Sequence, residues 1–143
     1  NWMRKKFLEN IKKRNKKKII IDRSDSLFEH NQIQNKKFIY TILKELKFEV
    51  IQLSKLSFKK QIEYFYNSSC IISPHGAGLT NIIFCKPNTK IIELNNSNFN
   101  CKLFRNLSKL NNLNYKNIKK KKIMKDLPGD INIPINKLKR FIY

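Results

Sequence analysis

Glycine is scarce in this chain, with three residues among 143, and proline is hardly commoner, with four. Few positions can therefore adopt left-handed backbone or approach a ligand without a Cβ. Acidic residues are also few, ten Asp and Glu against 31 Lys and Arg, and the formal charge is +21. The surface must attract polyanions, so nucleic acid, anionic lipid and phosphorylated small molecules are all admissible partners. The lysines are scattered among Asn and Ile along the whole length, which is a residue bias and not a designed patch. Three cysteines, Cys70, Cys85 and Cys101, sit in or beside apolar runs without C-x-x-C spacing; reduced, buried thiols are expected and zinc or redox motifs are excluded. No apolar run approaches the ~18 residues of a membrane span, and the first fifteen residues lack a signal-peptide core, which leads to an expected cytoplasmic location. The sequence does not open on Met, so an upstream segment is expected.

What is present is a globular composition, 41% hydrophobic and 11% aromatic. We expect residues 1–16 to be a basic lead-in helix or linker and residues 17–143 to form one domain. "KKIIID" (17–22) is a β-branched run suited to a buried parallel strand. "NKKFIYTILKEL" (35–46) sets Phe38, Ile42 and Leu46 at helical spacing, with Ile39 and Leu43 widening the stripe, after a capping Asn35. "FEVIQL" (48–53) predicts a second strand, and Ser57 caps a helix over "FKKQIEYFYNS" (58–68). "CIIS" (70–73) and "KIIEL" (90–94) predict further strands, with a short helix over "LTNIIFC" (79–85) between them. Leu103, Leu107 and Leu110 mark another helix, "LNYKNI" (113–118) a fifth strand, and "PINKLKRFIY" (134–143) a closing helix with Pro134 in its first turn. Phe58, Tyr64, Phe65 and Tyr66 are expected in the core. Strands alternating with helices predict an α/β fold, a doubly wound parallel sheet.

Two of the three glycines stand in "SPHGAGLTN" (73–81), immediately after the third strand. In such a sheet ligands bind beyond the carboxyl ends of the strands. Gly76 and Gly78 permit positive φ and close backbone approach, and the N–H groups of the following helix favour a phosphate or diphosphate. His75 can donate to a phosphate oxygen, and Thr80 and Asn81 add donors. The residues equally admit a tight strand-to-helix turn with His75 satisfied locally. A dinucleotide fingerprint needs glycine at 81, where Asn81 stands, and P-loop, zinc-protease and nucleophile-elbow patterns are missing. Arg23, at the end of the first strand, can supply bidentate contacts to a diphosphate. Glu93, ending the fourth, can accept from ribose hydroxyls.

The stretch "LSFKKQIEYFYNSSCIISPHGAGLTNIIFCKPNTKIIEL" (56–94) resembles the carboxyl-terminal signature of glycosyltransferase family 61, whose members include plant xylosyltransferases and animal O-linked GlcNAc transferases. The likeness extends more weakly back through "KKIIIDRSDS" and forward to "DINIPINKLKRF". It implies a GT-B architecture in which this chain is the Rossmann-like carboxyl-terminal half and the amino-terminal half, which faces the acceptor, is absent. It implies an inverting transfer of a sugar of GlcNAc or xylose type from a UDP donor to an acceptor hydroxyl, without a metal or other cofactor. The nucleotide sugar is expected on Arg23, Pro74, His75, Gly76, Ala77, Gly78, Leu79, Thr80, Asn81 and Glu93, with His75 as a diphosphate stabiliser. Where many members carry further arginines and an acidic residue, this chain has Asn31, Gln32 and Lys36; Asp25 or His30 can serve there. The catalytic base is expected from the other half. The rival reading is a non-enzymatic module binding nucleic acid or an anionic membrane through its basic surface, although no aromatic platform for specific nucleic-acid binding shows among the strands. The lysine block at 119–122 is expected to be a solvated loop or a peripheral contact with the inner face of a membrane.

Overall fold

The computed structural model describes residues 2–25, 32–95, 102–119 and 131–143. Within them lie α1 (Trp2–Leu8), β1 (Lys17–Ile21), α2 (Lys36–Glu45), β2 (Phe48–Ile51), α3 (Phe58–Tyr66), β3 (Ser68–Pro74), β4 (Lys90–Asn95), α4 (Leu103–Leu110), β5 (Asn114–Lys119) and α5 (Ile135–Ile142). Two 3₁₀ segments, Leu53–Lys55 and Ala77–Phe84, complete the set. His30, Asn31, Cys101, the turn at 127–130 and all but the first residue of the lysine block lie outside the described residues.

All five strands are parallel, in the order β2-β1-β3-β4-β5. The chain steps outward from β1 to β2, then returns past β1 to β3 and continues to β4 and β5. The doubly wound fold expected from the sequence is thus present, and its direction reverses between β1 and β3. Both faces of the sheet are covered, which is why β1 can be a run of three isoleucines. Ile19 and Ile21 face a core built with Ile62, Phe65, Leu79 and Phe104. Ile20 faces the opposite core, with Ile39, Leu43, Ile72 and Leu138.

Several faces differ from expectation by one helical step. In α2 the buried pair is Ile39 and Leu43, an i, i+4 stripe, and Phe38 is 59% exposed. In α4 Phe104 and Ser108 point inward, while Leu110 is 80% exposed; Phe104 wins because its ring fills the space beside His75, 5.1 Å between centroids. Of the aromatics expected in the core, Phe65 is buried, Tyr64 and Tyr66 are partly buried, and Phe58 is half-exposed in edge contact with Phe7 and Phe84. Ser57 caps α3 as expected, its side chain accepting from Lys60 N. The helix expected at 79–85 is a 3₁₀ run that starts two residues earlier. Pro134 precedes α5 as an extended cap, outside the first turn. Cys70 and Cys85 are buried free thiols. Burial pushes the Cys70 thiol up to about 11 and that of Cys85 higher still, which leaves both protonated and poorly nucleophilic. Among the described residues no helix is long and apolar enough to cross a membrane.

The basic lead-in is fastened to the sheet. Arg4 Nη2 donates to Cys85 O at 2.6 Å, and Ile11 joins the core. Asn67, buried between α3 and β3, does most of the fastening: its Oδ1 accepts from Arg14 N at 2.9 Å, and its Nδ2 donates to Lys12 O at 3.1 Å and Glu63 O at 3.0 Å. Its backbone oxygen accepts from Lys17 N at 2.8 Å, the first residue of β1. Removing the side chain deletes three part-buried hydrogen bonds, so Asn67→Ala is expected to destabilise the chain by about 1–2 kcal/mol. Urea unfolding measures this; a loss below ~0.5 kcal/mol would show that the clamp carries nothing.

Candidate functional site

Parallel pairing brings the carboxyl ends of β1 and β3 to one end of the sheet, at the point where the strand order reverses. A cleft of about 220 Å³ opens there, and Asp22, Arg23, Asp25, Ser54, Gly76 and Gly78 are among its walls. The loop beyond β3 is firmly placed, since His75 N donates to Leu94 O at 2.9 Å and Leu79 N to Gly76 O at 3.0 Å. The glycines serve one of the two purposes expected of them, close approach, and not positive φ. Gly76 has φ of 161°, which is extended backbone, and Gly78 is not in the left-handed region either. Close approach is what demands them. A Cβ on Gly76 would overlap the Arg23 guanidinium, and one on Gly78 would lie 2.5 Å from Leu53 Cδ1.

Arg23 crosses from β1 to the loop and donates from Nη1 to His75 O. Burial pulls its pKa below the usual arginine value, with Asp25 pushing the other way. The turn that carries it is organised by Asp22, which accepts from Ser24 Oγ at 2.6 Å, Ser24 N at 3.2 Å, Tyr40 OH at 3.0 Å and Gln52 Nε2 at 3.0 Å. Burial raises the Asp22 pKa, but these donors outweigh it and hold the carboxyl below its ordinary value of 3.8. Gln32 Nε2 donates to Arg23 O at 2.7 Å, and Ser54 Oγ donates to the Asp25 carboxylate. Among the described residues the cleft therefore displays one guanidinium and two carboxylates.

Behind the loop lies a polar layer. His75 Nδ1 meets Glu93 Oε1 at 2.5 Å, and Glu93 Oε2 accepts from Tyr115 OH and, at 3.4 Å, from Asn117 Nδ2. Asn117 Nδ2 also donates to Tyr115 OH at 3.0 Å. Glu93 is wholly buried. An ionised carboxylate only accepts, and opposite one a ring nitrogen acts as the donor.

Residues 1–92 match the profile of the family described as Glycosyltransferase 61. The chain belongs to the glycosyltransferase 61 family. It is also similar to a beta-1,2-xylosyltransferase of Arabidopsis thaliana, 38% identical over 63 residues, a stretch that is 44% of this chain and 12% of that protein. The chain thus spans a small part of the length of that relative. The family match takes in β1 to β3 and the glycine loop and ends one residue before Glu93, so the forward likeness to "DINIPINKLKRF" lies beyond it.

Of the family-type site residues anticipated above, Arg23, Pro74, Gly76, Gly78 and Leu79 line the cleft. Ala77 and Thr80 are exposed on the 3₁₀ run. Asn81 turns away, its Nδ2 donating to Gln61 Oε1 at 2.9 Å. His75 and Glu93 are not cleft walls. Both Glu93 oxygens are engaged inside the protein, with His75, Tyr115 and Asn117. Asp22, Ser54, Tyr115 and Asn117 were not anticipated. The inward side of β5 carried the signal for the last two, because Tyr115 and Asn117 are two apart, but it has meaning only once Glu93 is known to be opposite Asn117.

Two outcomes are expected. Gly76→Ala should destabilise the chain by about 1–3 kcal/mol by displacing the guanidinium, and Gly78→Ala by less, because a leucine methyl can turn aside. Equal losses in urea unfolding would reject the close-approach account. Since the Asp22 pKa is lower folded than unfolded, its contribution is full above about pH 3.8 and is lost as pH falls below that value. The stability gap between the native chain and Asp22→Asn should therefore narrow on acidification, and a gap constant from pH 6 to pH 2.5 would contradict it.

Proposed function

We propose that this chain is the donor-binding, Rossmann-like carboxyl-terminal half of a GT-B glycosyltransferase. Its reaction is an inverting transfer of a GlcNAc- or xylose-type sugar from a UDP donor to an acceptor hydroxyl. The observation that carries the reading is the cleft at the β1/β3 reversal, walled by Arg23 and by the glycine loop of a family 61 chain. In this reading the diphosphate lies on the loop. The N–H groups of Ala77 and Gly78 precede the first bond of the 3₁₀ run and favour negative charge, and Arg23 supplies the cation. As the sugar leaves, charge accumulates on the diphosphate, and these groups stabilise it without a metal.

The two carboxylates refine the reading. Asp22 is saturated by four protein donors and acts as a brace. Asp25, exposed beside Ser54, suits hydroxyl groups of the donor better than its phosphates. A cleft of 220 Å³ is smaller than the ~300–1,000 Å³ typical of a whole-ligand site, so it fits one portion of a nucleotide sugar. The remainder would face the amino-terminal half, which would also bring the acceptor and the base that takes its proton.

One observation favours the rival polyanion-binding module. A groove of about 490 Å³ at the opposite end of the sheet is lined by Arg14, Lys16, Lys17, Lys18 and Lys47, with Glu49 as its acidic member. Calorimetric titration with UDP, UDP-GlcNAc and UDP-xylose at two salt concentrations separates the readings. Saturable binding that persists at moderate salt and weakens at least tenfold in Arg23→Ala is expected of the donor site. Binding that collapses with salt and ignores Arg23 would favour the basic groove.

A further inference from the structure

The polar layer behind the glycine loop is hard to explain by stability. A buried carboxylate is costly even when paired, and replacing such a group by apolar residues commonly stabilises a protein. Its neighbours on β4, Ile91, Ile92 and Leu94, are all apolar and wholly buried. Stability alone would place another such residue at 93. The edge strand β5 repeats the anomaly. Its inward positions 115 and 117 hold Tyr and Asn, whose polar atoms converge on Glu93. The fit is also incomplete, because Asn117 Oδ1 and both polar atoms of the 1%-exposed Asn95 are buried without a hydrogen-bond partner among the described residues. Such a layer is retained for what it holds in place, and what it holds is His75.

We propose that Tyr115 and Asn117 are positioning residues that fix the orientation and tautomer of His75 through Glu93. Tyr115 and Asn117 pin Oε2, which aims Oε1 at Nδ1 and makes Nδ1 the protonated nitrogen of the neutral ring. The edge contact of the ring with Phe104 sets its tilt. The backbone of the same residue carries the effect into the cleft, since His75 O accepts from Arg23 and Gly76 follows directly beneath the guanidinium. The route from an edge strand to the cleft thus runs Asn117, Tyr115, Glu93, His75, Arg23. None of its first three members falls in the segment matched to the family. The consequence for donor binding rests on the function proposed above, whereas the coupling of Tyr115 to His75 does not.

The test uses the 143-residue chain labelled with ¹⁵N-histidine. The His75 ring signals are separated from those of His30 by a His30→Asn chain and read at a pH where the ring is neutral. The native chain should show the Nδ1–H form. In Tyr115→Phe the carboxylate is released at Oε2 and can turn, so Nδ1 loses its fixed acceptor and the ring should pass to a mixture of tautomers. Asn117→Ala should move it the same way by less. UDP affinity, measured on the same samples, should fall about tenfold in Tyr115→Phe. A ring that keeps the Nδ1–H form in both variants overturns the proposal, and a changed tautomer with unchanged affinity in a chain that does bind UDP overturns the route from His75 to the cleft. If the tautomer shifts in a chain whose native form binds no UDP, the coupling stands and the donor-site reading fails, which tells the two failures apart. Should Tyr115→Phe not fold, Asn117→Ala carries the same readout.

Discussion

Parallel strands must all be entered from one end, and every connection has to travel back over a face of the sheet before the next strand begins. That constraint shapes most of this molecule. It places the carboxyl ends of β1, β3 and β4 side by side, and it sends the crossover after β1 to one face and those after β2, β3 and β4 to the other. Between β1 and β3 the connections diverge, and among the described residues a crevice is left there. Arg23 and the glycine loop meet there because the topology gives them nowhere else to go. The run of isoleucines in β1 and the paired isoleucines of β3 and β4 belong to the same constraint, since a strand covered on both sides has no polar face to offer.

On that frame the polar groups divide into two kinds. Asp22 and Asn67 are braces, each satisfying several donors or acceptors of a turn or lead-in that has no ladder of its own. Glu93 is different, because it sits inside a strand, where the backbone is already paired and needs no help. Its partners come from a loop and from an edge strand, so it joins elements that the sheet alone would leave independent. A rigid strand supports a carboxylate, the carboxylate supports an imidazole, and the imidazole's own backbone supports an arginine. Each step moves outward from the best-packed part of the molecule to its most exposed concavity.

The succession of strands and helices and the fold class were legible in the sequence because β-branched runs separated by helical stripes admit few arrangements. The loop at 73–81 was legible because glycine is so rare here that a close pair stands out. Faces were less legible. The choice between Phe38 and Ile39, or between Leu103 and Phe104, turns on shape fitting across layers, and an apolar residue one step along the helix looks as good from the sequence. The role of Glu93 was out of reach for a sharper reason. Its partners Tyr115 and Asn117 are more than twenty residues away, and only strand register makes them neighbours. The glycines show the converse case, in which the right residues were singled out for two freedoms and only close approach is used. Position 76 has no use for left-handed backbone and much use for empty space beside a guanidinium.

The edge position of β5 has a consequence for the molecule in company. Asn114, Lys116 and Lys119 are exposed along this strand, at a boundary of the described sheet where unpaired backbone groups would otherwise invite another strand. A second copy approaching that edge would bring its own lysines against these, within a pair of chains each carrying +21. In a protein whose interior is largely isoleucine, surface ammonium groups of this number oppose edge-to-edge pairing of one sheet with another.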